Sequence, residues 1–178
     1  TNDPATVAKY TKYTDFTELT PQPNQVWKED TNDFITFNYL NMKIGITAGN
    51  FDVMHPGYIK MFKEIKEHCD WLVVALHDDP TIERPNKLKP ILSWEERQEV
   101  LLSIRYIDEI IKYTTEQHLI NILKTRQYNV RVLGDDYIGK YATGQEYSDQ
   151  IAYIDRDHGW STTKYKTLLV KSINGESK

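Results

Sequence analysis

"GNFDVMHPGY", residues 49–58, decides how the rest of the chain is read. An apolar run, "MKIGIT" at 42–47, ends just before it. Just after it, Ile59, Phe62 and Ile65 fall on one side of a helical repeat, with Lys60, Lys63, Lys66 and Glu67 elsewhere. The stretch therefore reads as strand, tight turn, helix. Pro56 suits the first helical position, where its missing N–H costs nothing. Gly49 and Gly57 allow a ligand close to the main chain. The first N–H groups of a helix are unpaired and carry positive partial charge, so a phosphate is the natural guest. His55 stands at the N-cap position, where its ring either donates to that phosphate or merely caps the helix.

Working outward, "WLVVAL" (71–76) reads as a buried strand, followed by a loop bearing proline and lysine over 79–92. Ser93 and Glu96 have the spacing of a capping box, and Val100, Leu101 and Ile104 give the next helix its buried side. "IDEIIKY" (107–113) is the third strand, followed by a helix through Leu119, Ile120 and Leu123. "VRVLG" (130–134) and "QIAYID" (150–155) complete the strands, and a last helix starts from Ser161. Short apolar strands alternating with helices throughout predict an α/β fold: a parallel sheet of about five strands with helices on both faces. Ligands of such sheets bind beyond the carboxyl ends of the strands. The segments expected there are 48–58, 77–92, 134–147 and 156–163.

The chain has 178 residues, one domain's worth, and a net charge of −4. That charge argues against nucleic acid or an anionic membrane as the main partner. The lone Cys69 excludes an internal disulfide and fits a reducing cytosol. No apolar run approaches membrane-spanning length and no charged-then-apolar leader opens the sequence, so a cytoplasmic location is expected. Residues 1–41 contain no glycine but hold Tyr10, Tyr13, Phe16, Trp27, Phe34, Phe37 and Tyr39. They read as an N-terminal extension to a domain over 42–178, lying on that domain or on a partner subunit, with a flexible tail as the alternative.

Gly49, Phe51, Asp52, His55 and Gly57 match the pattern G-x-F-D-x-x-H-x-G, and on it the chain resembles the nucleotidylyltransferase superfamily. "RYIDEI" (105–110), "GDDYIGKY" (134–141) and "RDHGWSTTK" (156–164) are similar to segments of the glycerol-3-phosphate cytidylyltransferases. The loop with Lys87 and Lys89, followed by Glu96-Arg97, matches in order and rough spacing. The resemblance implies a Rossmann-like sheet and attack of a phosphate monoester on the α-phosphorus of CTP, with release of pyrophosphate. By the same resemblance His55 contacts the reacting triphosphate, Lys87 and Lys89 reach in from the loop, and Arg156, Ser161 and Thr162 hold the nucleotide phosphates. Asp136 helps to read cytosine, and the helix starts near Pro56 and Ser161 face one pocket. Asp52, Asp79, Arg97 and His158 are weaker candidates. Mg²⁺ is expected mainly through the nucleotide phosphates rather than on protein ligands. The expected partners are CTP, a small phosphorylated alcohol and a second copy in a homodimer, with Arg105 and Asp108 assigned to structure.

Two departures from the family pattern stand out. Where His-x-Gly-His is usual, the chain reads His55-Pro56-Gly57-Tyr58, and tyrosine is neutral at pH 7. Asp157 stands where threonine is usual and adds negative charge near the nucleotide. Three outcomes stay open for Tyr58: it reaches a phosphate or substrate group in a slower or altered reaction, another donor such as His158 takes over, or the site binds nucleotide without turnover. Adenylyl rather than cytidylyl transfer stays open beside them.

Overall fold

Five apolar runs pair into one sheet. The computed structural model describes residues 42–156 and 158–175. The expected extension over 1–41 lies outside the described residues, as does Asp157. The strands are β1 (Ile44–Gly49), β2 (Trp71–His77), β3 (Glu109–Tyr113), β4 (Tyr128–Gly134) and β5 (Ser148–Ile154). Their order is β3-β2-β1-β4-β5 and every neighbouring pair is parallel. The chain runs outward from β1 through β2 to β3, then crosses back to start β4 on the other side of β1. The boundary between β1 and β4 is therefore the topological switch point, where open α/β sheets bind ligands.

Helices α1 (Pro56–Ile65), α2 (Trp94–Leu102), α3 (Glu116–Thr125) and α4 (Thr162–Ile173) connect or follow the strands. Each of the last three has a side-chain cap: Ser93 accepts from the Glu96 N–H, Thr115 from that of His118, and Ser161 from that of Lys164. Around α2 the capping box is complete, because the Glu96 carboxylate accepts the Ser93 N–H at 2.7 Å. Phe62, Ile65 and Leu101 pack with Leu72, Val74, Leu76, Val130 and Val132 on one sheet face. Leu119, Ile122 and Leu123 pack with Ile46, Val73 and Ala75 on the other. Alternate residues of β2 thus enter two different cores, which explains why that strand is apolar without interruption.

Two expectations need correction. Ile59 and Val100 are 39% and 37% exposed rather than part of the core. Over the first turn of α1 the Phe51 ring packs against Phe62 and Tyr58 instead, and α2 meets the sheet through Arg97 and Leu101, one turn apart. Helices also do not follow every strand. Residues 135–147 cross from β4 to β5 with two 3-10 turns, Asp135–Tyr137 and Gln145–Tyr147. Gly139 and Gly144 in that stretch have φ of 76° and 72°, which breaks a helical run. Among the described residues, no helix is long and apolar enough to cross a membrane.

Candidate active site

The turn after β1 is built around an unusual backbone. Phe51 has φ of 44°, the one non-glycine residue with positive φ among those described. A bulky residue rarely tolerates that region, and such strain gathers at functional turns. It is held by burial of the ring, which packs 5.3 Å from both Tyr58 and Phe62 and lies against Gly49. The next residue, Asp52, turns inward. Its carboxylate accepts the N–H groups of Ile91 and Leu92 at 2.9 and 3.0 Å and pairs with Lys166 at 2.6 Å. Burial alone would raise its pKa, but the Lys166 bond and the two N–H groups outweigh it and hold the carboxyl below its ordinary range. Asp52 is therefore a fastening between the 79–92 loop, the β1 turn and α4.

His55 occupies the N-cap of α1 in extended backbone, yet its side chain makes no capping bond. It is 5% exposed and stacks on Tyr58, with ring centroids 4.0 Å apart and planes at 17°. Trp160 lies on a nearly parallel plane with its centroid 6.2 Å away. Neither His55 nitrogen has a hydrogen-bond partner. Burial, reinforced by the charges of His158 and Arg156, holds the ring below its ordinary pKa, so it is neutral at pH 7. A buried imidazole with an unused donor and an unused acceptor is costly to keep.

The starts of α1 and α4 meet. The Tyr58 hydroxyl is 2.6 Å from Oγ1 of Thr162, joining the first turns of the two helices. The space in front of α1 is filled, however. A Cβ on Gly57 would lie 2.6 Å from Cε1 of His158 and 2.7 Å from Cβ of Trp160. Only a glycine fits beneath that segment. The two helix starts adjoin as expected, but the pocket between them is closed by His158 and Trp160, and a phosphate at the mouth of α1 requires residues 158–160 to withdraw.

Beyond β4, Arg156 donates to Asp136 at 2.9 Å, with both side chains 52% exposed. Gly134 leaves room for this pair, since a Cβ there would lie 2.4 Å from both side chains. Arg97, 1% exposed, is fully engaged. It donates to the carbonyls of Leu92, Ser93, Asn50, His77 and Asp78 and to Oδ1 of Asn50, so it clamps the ends of β1 and β2 to the start of α2. Asp79 accepts from the Thr81 hydroxyl and N–H, which keep its pKa low. Lys87 and Lys89 are exposed on the same loop, and Lys89 lies 4.0 Å from Asp79.

The structure thus brings Gly49, Phe51, His55, Gly57, Tyr58, His158 and Thr162 together, with the Asp136–Arg156 pair beyond β4 beside Gly134. Lys87 and Lys89 stand on the loop, while Asp52 and Arg97 serve as fastenings. Sequence reading passed over Asn50, Trp160 and Lys166. Only the matching charges of Asp52 and Lys166 offered a signal, and nothing in the sequence placed them side by side.

The sequence model of the cytidylyltransferase-like family matches residues 46–167. The chain belongs to that family. Every motif described above lies within or at the edge of the matched span. Among the family's relatives, the glycerol-3-phosphate cytidylyltransferase of Bacillus subtilis is 36% identical over 125 residues, covering 70% of this chain and 95% of that protein. The Bifunctional protein HldE of Nitrobacter hamburgensis is 31% identical over 179 residues, covering 98% of this chain and 34% of that protein. The chain therefore spans about a third of the bifunctional relative's length. A lipopolysaccharide core biosynthesis protein from Thermoplasma volcanium superposes with a TM-score of 0.48 at 20% identity, over 77% of this chain and 92% of that one.

Proposed function

We propose that this chain transfers a cytidylyl group from CTP to a small phosphate monoester, glycerol 3-phosphate or a similar polyol or sugar phosphate. The observation that carries the reading is His55: a neutral, buried imidazole at the N-terminus of α1, with neither nitrogen paired, inside a cytidylyltransferase-like sequence. An oxygen of the acceptor phosphate attacks the α-phosphorus of CTP in line. The bond from that phosphorus to the β-bridging oxygen breaks, pyrophosphate leaves, and the product is CDP-linked. No covalent intermediate on the protein is required, so catalysis reduces to alignment and charge stabilisation.

In this reading the His55 ring N–H donates to a phosphate oxygen. Pro56 has no N–H and that of Tyr58 donates to the His55 carbonyl, which leaves the Gly57 N–H to join it. Lys87 and Lys89 supply mobile positive charge from the loop, Arg156 holds nucleotide phosphate with the start of α4, and Asp136 accepts from the cytosine amine. Mg²⁺ enters with the nucleotide. Among the described residues no three His, Cys, Asp or Glu side chains gather as a metal site, and Asp52 is committed elsewhere. A homodimer belongs to the same proposal and is checked by light scattering.

The deciding experiment is a matrix of nucleoside triphosphates against phosphate monoesters, read as pyrophosphate. Turnover specific to CTP, lost in His55→Ala, supports the reading; no turnover in any cell of the matrix rejects it. Two observations favour a second reading, nucleotide binding without turnover. The Tyr58 hydroxyl, in the position of a usual histidine, is already taken up by Thr162, and the mouth of α1 is closed. Calorimetric binding of CTP beside a silent activity assay would select it.

A further inference from the structure

The least satisfied charged side chain described outside this site is Arg131. It lies on β4 opposite Ile46 of β1 and Ile151 of β5. It shares the face of Ile46, the side of the sheet that α3 covers. It is 3% exposed, and its Nε and Nη1 have no hydrogen-bond partner. No carboxylate among the described residues forms an ion pair with it. The contrast with Arg97 is sharp: both are buried, but Arg97 spends its donors on five carbonyls.

Burying a guanidinium without partners is strongly unfavourable, and nothing in the fold demands it. An apolar residue would suit β4, whose neighbouring residues Val130, Val132 and Leu133 are all buried. The groups acting on Arg131 are Tyr113, Glu116, Tyr137 and Tyr128. Three of these belong to the carboxyl-terminal edge: Tyr113 ends β3, Glu116 opens α3, and Tyr137 closes the 3-10 turn that follows β4. The Tyr113 ring stacks on His77, the last residue of β2, at 4.4 Å. Tyr113 and the start of α3 therefore stand near the unspent donors of Arg131, at the same sheet edge that carries His55.

We propose that Arg131 is the base of an acceptor subsite that binds a carboxylate or second phosphate of the acceptor, remote from its reacting phosphate. Among the acceptors of the proposed reaction, this subsite favours a phosphate monoester with a further anionic group over a neutral polyol phosphate. The inference rests on the proposed transfer reaction for its link to the acceptor, but the anion site itself does not. A planar carboxylate or a phosphate satisfies Nε and Nη together, the geometry for which a guanidinium is better suited than an ammonium.

The test reads Arg131 directly. In the full chain without nucleotide, the Nε–H resonance of Arg131 is assigned by its absence from the spectrum of Arg131→Lys, or of Arg131→Gln should the lysine variant not fold. Inorganic phosphate and acetate are then titrated separately, in the wild type and in His55→Ala. A saturable shift of that resonance with either anion, retained in His55→Ala, is expected. A resonance unmoved by both anions overturns the subsite, whatever the activity assay shows. If the pyrophosphate matrix gives turnover, Arg131→Met should raise KM for a carboxylate-bearing phosphate monoester by about ten- to a hundredfold and leave that for glycerol 3-phosphate unchanged. Equal effects on both acceptors would refute the acceptor assignment while leaving the anion site to the spectrum. A total lack of turnover defeats the proposed reaction and not the resonance shift.

Discussion

The hydroxyl of Tyr58 sits 2.6 Å from Oγ1 of Thr162 and joins the first turn of α1 to the first turn of α4. A tyrosine in place of a histidine thus changes more than a donor. Its ring stacks on His55, and its hydroxyl ties down the helix that follows β5. Burial raises the phenol's pKa, so it remains neutral and uncharged across the physiological range.

Tyr58→Phe keeps the stacked ring and removes the tie. Loss of one part-buried hydrogen bond should cost about 0.5–1.5 kcal/mol in a urea titration. A loss well above that range would mean the hydroxyl supports more than Thr162. Tyr58→His, in contrast, should raise pyrophosphate release by up to about a hundredfold, the scale of one oriented donor at the reacting charge. No gain over wild type would show that the histidine position is not what limits turnover.

Gly57→Ala tests the closed mouth. The added methyl meets Cβ of Trp160, close to the main chain, so residues 158–160 must shift rather than merely rotate a side chain. Overpacking of this kind costs about 1–3 kcal/mol. Trp160 should become more accessible to iodide quenching, with Trp160→Phe identifying its share of the emission. Unchanged quenching would show that the segment does not rest on Gly57 in solution.

Arg97→Met removes the clamp and leaves one buried and several part-buried carbonyls on three segments without their donor. The expected loss is about 3 kcal/mol or more, read as a lowered urea midpoint. A variant within about 1 kcal/mol of wild type would show that water replaces the guanidinium easily.

Acidification should weaken the fold through two histidines. His55 and His77 are both held below their ordinary value of 6.5, burial being the leading cause in each. Above that value neither state takes up a proton at these rings. Below it the unfolded chain is protonated and the folded chain resists, so stability falls as pH drops from 6.5 toward the folded values. The fall should be seen in urea midpoints between about pH 7 and pH 5. It should diminish in His55→Gln and in His77→Gln. Asp52 contributes a separate loss only as pH falls below its ordinary 3.8, because its folded pKa is depressed.

The sheet was legible because its signals are local. Apolar runs, Pro56 at a helix start and the Ser93–Glu96 spacing each act within a few residues, and all five strands lie within two residues of where the pattern puts them. Ile59 and Val100 were misplaced because periodicity marks an apolar side without saying what fills the space beneath it; Phe51 does so from outside α1. The pocket was half legible. Gly57 and His55 announce a helix mouth, but its covering by Trp160 depends on a contact across a hundred residues of chain. Arg97 and Arg131 look alike in the sequence, two of its six arginines. Only the fold reveals that one is saturated with carbonyls and the other has none.

The loop that carries Lys87 and Lys89 is gripped at both ends by buried charge: Arg97 holds the Asp78 carbonyl and Asp52 holds the Ile91 and Leu92 N–H groups. Between those anchors Glu83 and Arg84 also tie the loop to Glu116 at the start of α3, so the stretch bearing Lys87 and Lys89 is the part that can change in length or side chains at least cost to the sheet. Divergence at this edge has a ready channel there, insulated from the cost that insertion elsewhere would carry.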